Sequence, residues 1–210
     1  MSSLPEIGLR VRAVYEAKYA ARDRALQLCR ETTRSSAVAI RAIHRGEFEV
    51  ALGHIESARQ ALVAAQTVLT DHEDVLFAGF VHDAAKEYVE ASATLALIRE
   101  QPLPDPEALG VQVPAYLNGL AETVGELRRH LLDRLRHGDV DSCERVLGLM
   151  DEIFSLLVTI DYPDAITGGL RRSTDVARGI IEKTRGDLTL AVRQQELERR
   201  MGRLERALEK

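Results

Sequence analysis

The stretch FAGFVHDAAKEYVEASATLALI, residues 77–98, decides the fold. Phe77, Val81, Ala84, Tyr88, Ala91, Leu95 and Ile98 recur at alternating intervals of four and three residues. Such a heptad seam requires one long helix packed along its whole length. The same stretch sets Glu87 and Glu90 three residues apart beside the seam, where like charges cost about 0.2–0.5 kcal/mol. Solvent, lysines or a bound cation must offset that repulsion.

Neighbouring segments carry the same period. Residues 6–45 return Val11, Tyr15, Cys29, Ser36, Ile40 and Ile43 to one side of a helix that ends at Arg45-Gly46. Residues 47–70 do so with Val50, His54, Ala58, Leu62, Ala65 and Leu69, and Asp71 then offers a side-chain cap for a third helix over about 72–100. In QPLPDPEALGVQVP, residues 101–114, prolines at 102, 104, 106 and 114 forbid a continuing helix, while Pro114 suits the first turn of the next. That next helix, about 114–137, carries Tyr116, Leu120, Val124, Leu127, Leu131 and Leu135. A fifth starts at Asp139 or Asp141, carries Val146, Leu149, Ile153, Leu156 and Leu157, and stops at Asp161-Tyr162-Pro163. A sixth runs from about Pro163 to the C-terminus, ending on Leu197, Met201, Leu204 and Leu208. No segment alternates as a strand does. The expectation is all-α: one domain over 1–210 of six to seven long antiparallel helices. The terminal seam suits either the protomer's interior or an interface between copies.

Composition agrees. The 210 residues are 45% hydrophobic with no tryptophan, and Ala, Leu, Glu and Arg, all helix formers, dominate. With no apolar run of membrane length and no signal-peptide pattern at the N-terminus, a soluble cytoplasmic protein without membrane association is predicted. The two cysteines, Cys29 and Cys143, have neither ligand spacing nor a disulfide pattern and read as buried apolar groups. The net charge of −5 is uneven: residues 1–45 hold nine Lys/Arg against four Asp/Glu, and the remainder 19 against 29. A polyanion would meet the N-terminal part.

The companion of the opening stretch is LAETVGELRR, residues 120–129. Glu122 and Glu126 lie one turn apart, opposite the Tyr116, Leu120, Val124 and Leu127 stripe. Four carboxylates converging from two helices cannot all stay ionised without a cation, so Glu87, Glu90, Glu122 and Glu126 are candidate ligands for Mg2+ or Mn2+. Such an ion can stabilise charge on a phosphodiester and lower the pKa of water. The absence of Glu-x-x-His disfavours a di-iron centre. An ion-paired solvated face is the alternative reading of the same acids.

Arg30, Arg34, Arg41 and Arg45, spaced 4, 7 and 4, stack on one face of the first helix and suit the phosphates of a nucleic acid strand. A solvated basic face is the alternative, since no aromatic residues interleave to stack bases. The histidines form no motif. Gly-rich phosphate loops, nucleophile elbows and zinc spacings are absent.

The order FVHDAAKEYVEA (80–91), a proline-rich gap, PAYLNGLAETVGELRRHLLDRLRHGDVD (114–141), then IDYPDAITGGLRRSTDVARGIIEKTRGDL (160–188) resembles the translin family, and within it the branch of translin-associated factor X. The match is clearest from Gly79 to Leu188. It implies an all-α fold of about seven helices, a hollow octamer, and single-stranded RNA or DNA bound on the inner surface. For the catalytic branch it implies Mg2+-dependent endoribonuclease activity from the acids of EYVEA and ETVGEL, here Glu87, Glu90, Glu122 and Glu126. The chain departs from the family in TDHEDVLF, residues 70–77, acidic where translin is basic, and in Glu122, where the catalytic branch has Asp.

Three functions therefore compete: an endoribonuclease cutting single-stranded RNA inside a homo-oligomeric, octameric shell; a non-catalytic RNA- or DNA-binding scaffold; and an all-α nucleotide pyrophosphohydrolase. The last also uses helical acids and Mg2+, but its E-x-x-D element is missing here.

Overall fold

Nine helices follow one another in the described residues, 3–208, of this computed structural model. Six are long: α1 (Leu4–His44), α2 (Phe48–Val68), α4 (Gly79–Ile98), α6 (Val113–Arg136), α7 (Val140–Leu157) and α9 (Leu170–Leu208). Three are single turns: α3 (Glu73–Leu76), α5 (Pro106–Leu109) and α8 (Asp164–Thr167). No strand occurs among the described residues, so the chain is all-α, as its period predicts. No helix among them is long and apolar enough to cross a membrane.

Contacts group the expected domain into two compact units, Met1–Gly119 and Leu120–Lys210, and α6 runs unbroken through the boundary. In the first unit, α1, α2 and α4 pack on one another. Their core is rich in alanine: Ala25, Ala65 and Ala84 join Leu28, Cys29, Leu69, Val75 and Val81, and further along Ala42 and Ala51 join Ile43 and Leu95. Small side chains at these positions let helix backbones approach closely while still excluding water. In the second unit α7 and α9 pack together. Cys143, Val146, Met150, Ile153 and Leu157 are buried on α7, and Leu170, Ala177, Ile181 and Leu188 on α9. Arg128 of α6 ties to α9, donating to Thr184 Oγ1 at 2.8 Å and to Asp187 at 2.7 Å.

The opening seam is buried from Val81 to Leu95, but Phe77 is not part of it: it closes α3 and is 68% exposed. Glu73 and Asp74 favour a separate helical turn there through the positive end of its dipole, and Lys18 holds Asp74 at 2.7 Å. The chain then straightens at Ala78 (φ −71°, ψ 148°) and re-enters helix at Gly79. The N-cap of α3 is His72 rather than Asp71, with no side-chain cap bond. The proline segment holds one turn of helix, α5, started by Pro106 and capped by Asp105, whose carboxylate accepts from Ala108 N–H at 2.7 Å. The sixth predicted helix is split because Gly168 and Gly169 adopt φ of 63° and 82°, a left-handed geometry that stops α8 before α9 begins. Asp139 is the cap of α7, accepting from Ser142 N–H.

The long helices also carry apolar side chains that the protomer leaves uncovered. Val11, Tyr15, Val50 and Leu156 were expected on buried faces and are exposed. At the end of α9, Leu197, Met201, Leu204 and Leu208 are 54–78% exposed.

Both cysteines are buried, as expected. Burial pushes the Cys29 thiol from 9.0 to about 11, and Cys143 is also raised, first by burial and then by Asp139. At pH 8 Cys29 therefore stays almost wholly in the unreactive thiol form. A thiol reagent such as DTNB should therefore leave folded protein unmodified at pH 8 and consume both thiols after denaturation, which absorbance reports. The unfolded Cys29 thiol ionises near 9.0 while the folded one stays neutral to about 11, so its contribution to stability is lost as pH rises through that window.

Candidate functional site

On α4 the buried positions Ala84, Ala85, Tyr88, Val89 and Ala91 leave Glu87 and Glu90 half-buried at the margin of the packed face. Facing them is the opening of α6. Ala115, Tyr116, Leu117 and Leu120 are buried there, and the Tyr116 hydroxyl donates to the Pro104 carbonyl at 2.9 Å. Between these apolar groups stands Gly119. A Cβ on it would lie 2.7 Å from Val89 Cβ and Cγ1 and 2.8 Å from the Lys86 carbonyl oxygen. The close approach of α4 and α6 therefore depends on the absence of a side chain at 119.

Glu122 follows one turn along α6. One carboxylate oxygen from each of Glu87, Glu90 and Glu122 lies within 4.8 Å of the other two, and all three side chains are half-buried. Glu126 is outside this group and forms an ion pair with Arg129 at 3.8 Å. The helical rise of about 6 Å over four residues separates Glu122 from Glu126 along the axis. None of the four carboxylates lacks partners.

The donor set fits a small hard cation. Oxygens about 2.1 Å from an octahedral Mg2+ stand about 3–4 Å from one another, so a trio within 4.8 Å closes on an ion by turning its carboxylates and has little further reach to spare. All three donors are carboxylate oxygens, the type that Mg2+ and Mn2+ prefer.

Arg30, Arg34 and Arg41 are exposed along α1, and Arg45 caps its end. Arg45 is already engaged: Nε and one terminal nitrogen donate to the two Glu47 oxygens at 2.8 and 2.6 Å. This bond raises the Arg45 pKa and lowers that of Glu47. The residue that sequence reasoning passed over is Gly119. Its signal was a lone glycine between apolar positions of a helical seam, which marks close packing.

No family model matches the chain. An uncharacterized protein, MJ0175, of Methanocaldococcus jannaschii is 30% identical over 193 residues, 90% of this chain and 84% of that one. Among solved structures, AfC3PO in complex with duplex RNA superposes with a TM-score of 0.81 at 36% identity, covering 87% of this chain and 94% of that chain. The chain belongs to the translin family, with the C3PO proteins. AfC3PO alone gives a TM-score of 0.79 at the same 36% identity. Apo-NeC3PO, at 21% identity and a TM-score of 0.80, shares the fold. The translin-like segments named above fall on α4, on α6 with the start of α7, and on α8 with the first part of α9.

Proposed function

We propose that this translin-family protein is a Mg2+-dependent endoribonuclease that binds and cuts single-stranded RNA within a homo-oligomeric, octameric shell in the cytoplasm. The observation that carries the reading is the trio Glu87, Glu90 and Glu122 on a fold whose 36%-identical relative, AfC3PO, has been solved with duplex RNA. Bound Mg2+ would supply charge neutralisation at the phosphate and a lowered pKa for water. Glu87, Glu90 and Glu122 hold the ion with hard oxygens, and Glu126, a turn further along α6, accepts hydrogen bonds from water in the site. Arg30, Arg34 and Arg41 contact phosphates along α1, with a smaller part for Arg45, whose guanidinium is shared with Glu47. The uncovered apolar side chains of α1 and α9 support association of copies, because burying each large one is worth about 1.5–3 kcal/mol.

The test uses labelled single-stranded RNA, the matching duplex, single-stranded DNA and nucleoside triphosphates, each with Mg2+ and with EDTA. Internal cleavage of single-stranded RNA that EDTA stops and excess Mg2+ restores is expected. RNA binding that weakens with salt, without turnover at any Mg2+ concentration, would replace the nuclease by a scaffold. Turnover of the triphosphates alone would select the pyrophosphohydrolase.

A further inference from the structure

We infer that Gly119 is a positioning residue for the carboxylate trio: by letting α6 lie directly against Val89 and Lys86 of α4, it sets the distance at which Glu122 meets Glu87 and Glu90. The inference rests on the metal-site reading above. It starts from packing. Nonbonded carbon atoms meet comfortably at about 3.5–4.0 Å, whereas an alanine Cβ at 119 would stand 2.7 Å from two Val89 atoms and 2.8 Å from a backbone oxygen. Val89 Cβ and the Lys86 carbonyl belong to the helix framework, so no rotamer change moves them aside. The two helices must separate, by about 1 Å on these distances.

Glu122 is three residues, and so about 4.5 Å of helix, beyond Gly119 and moves with it. Metal ligands tolerate displacements of only about 0.2–0.5 Å. Separating α4 from α6 therefore pulls one ligand out of a trio whose other two remain on α4, with all three carboxylates chemically intact.

Gly125 supplies a matched control. It lies on the same helix, yet a Cβ there meets nothing within 4 Å. Alanine raises helix propensity equally at 119 and 125, so a difference between the variants reports packing against α4 rather than backbone stiffness.

The experiment is a calorimetric titration of Mn2+ into the full chain, into Gly119→Ala and into Gly125→Ala, well below the melting temperature of each. Gly119→Ala should weaken Mn2+ binding by about 10- to 100-fold, the range seen when support of a ligand is lost, while Gly125→Ala leaves it unchanged. Equal Mn2+ affinity in the unsubstituted chain and folded Gly119→Ala overturns the inference, whatever happens to the melting temperature. If the unsubstituted chain itself binds no Mn2+, the metal-site reading fails, and this inference with it. Should Gly119→Ala not fold, Val89→Ile, which enlarges the side chain that meets Gly119 and leaves the glycine in place, is titrated instead: weaker Mn2+ binding supports the assignment, and unchanged affinity overturns it and makes Gly119 a residue of folding alone.

Discussion

Replacing Glu122 by alanine is expected to abolish RNA cleavage while leaving RNA affinity unchanged. The trio holds one carboxylate from α6 and two from α4, so Glu122 is the member whose loss would leave the proposed ion with ligands from a single helix. Losing the electrostatic stabilisation that a bound ion gives a phosphoryl transition state is worth several kcal/mol, or about 10²–10³-fold in kcat. Affinity should survive because the phosphate contacts assigned to α1 are made by other residues. Glu122→Gln, which keeps the shape and removes the charge, should fail in the same way. The measurement is single-turnover cleavage beside a filter-binding isotherm on one RNA. Undiminished cleavage by Glu122→Ala would remove the carboxylate from the mechanism, and a parallel loss of binding would reassign it to holding the fold.

The second large effect is expected from Arg34→Ala combined with Arg41→Ala. Both side chains are exposed on α1. Each phosphate contact contributes about 0.7–0.9 to the slope of log K against log salt, so removing two lowers the slope by about 1.4–1.8. At 0.1 M salt that corresponds to about 25- to 60-fold weaker RNA binding. Cleavage at saturating RNA should be unaltered, since the proposed mechanism gives neither arginine a part in holding the ion. Arg45→Ala should do less than either single variant, because Glu47 already offsets its charge with two hydrogen bonds. A salt slope unchanged by the double substitution would mean that RNA lies on another face.

The seam of residues 81–95 was legible because a period of 3.5 residues sustained over several turns leaves a helix one way to bury its apolar side. Phe77 fits that period and still lies outside it, because periodicity cannot tell where the chain leaves the helix; the extended backbone at Ala78 decides that. The split between α8 and α9 has its mark in the adjacent pair Gly168-Gly169, whose left-handed backbone a count of apolar intervals does not register. Of the acids, spacing identified the two helices that carry the carboxylates. It could not decide which oxygens meet, since that depends on the separation of α4 and α6. At position 119, opposite Val89, there is no room for a side chain between them. Val11, Tyr15 and the apolar end of α9 show the opposite limit: a stripe announces burial without saying whether the same chain supplies the cover.

The contact between α4 and α6 has a bearing on engineering. If the spacing of the acids is inherited from how closely Gly119 sits against Val89, then preference among divalent ions of different radius is adjustable without touching any ligand. Trimming or enlarging the hydrocarbon around Val89 would retune the cage from behind, and the interior of the protein would act as its calliper.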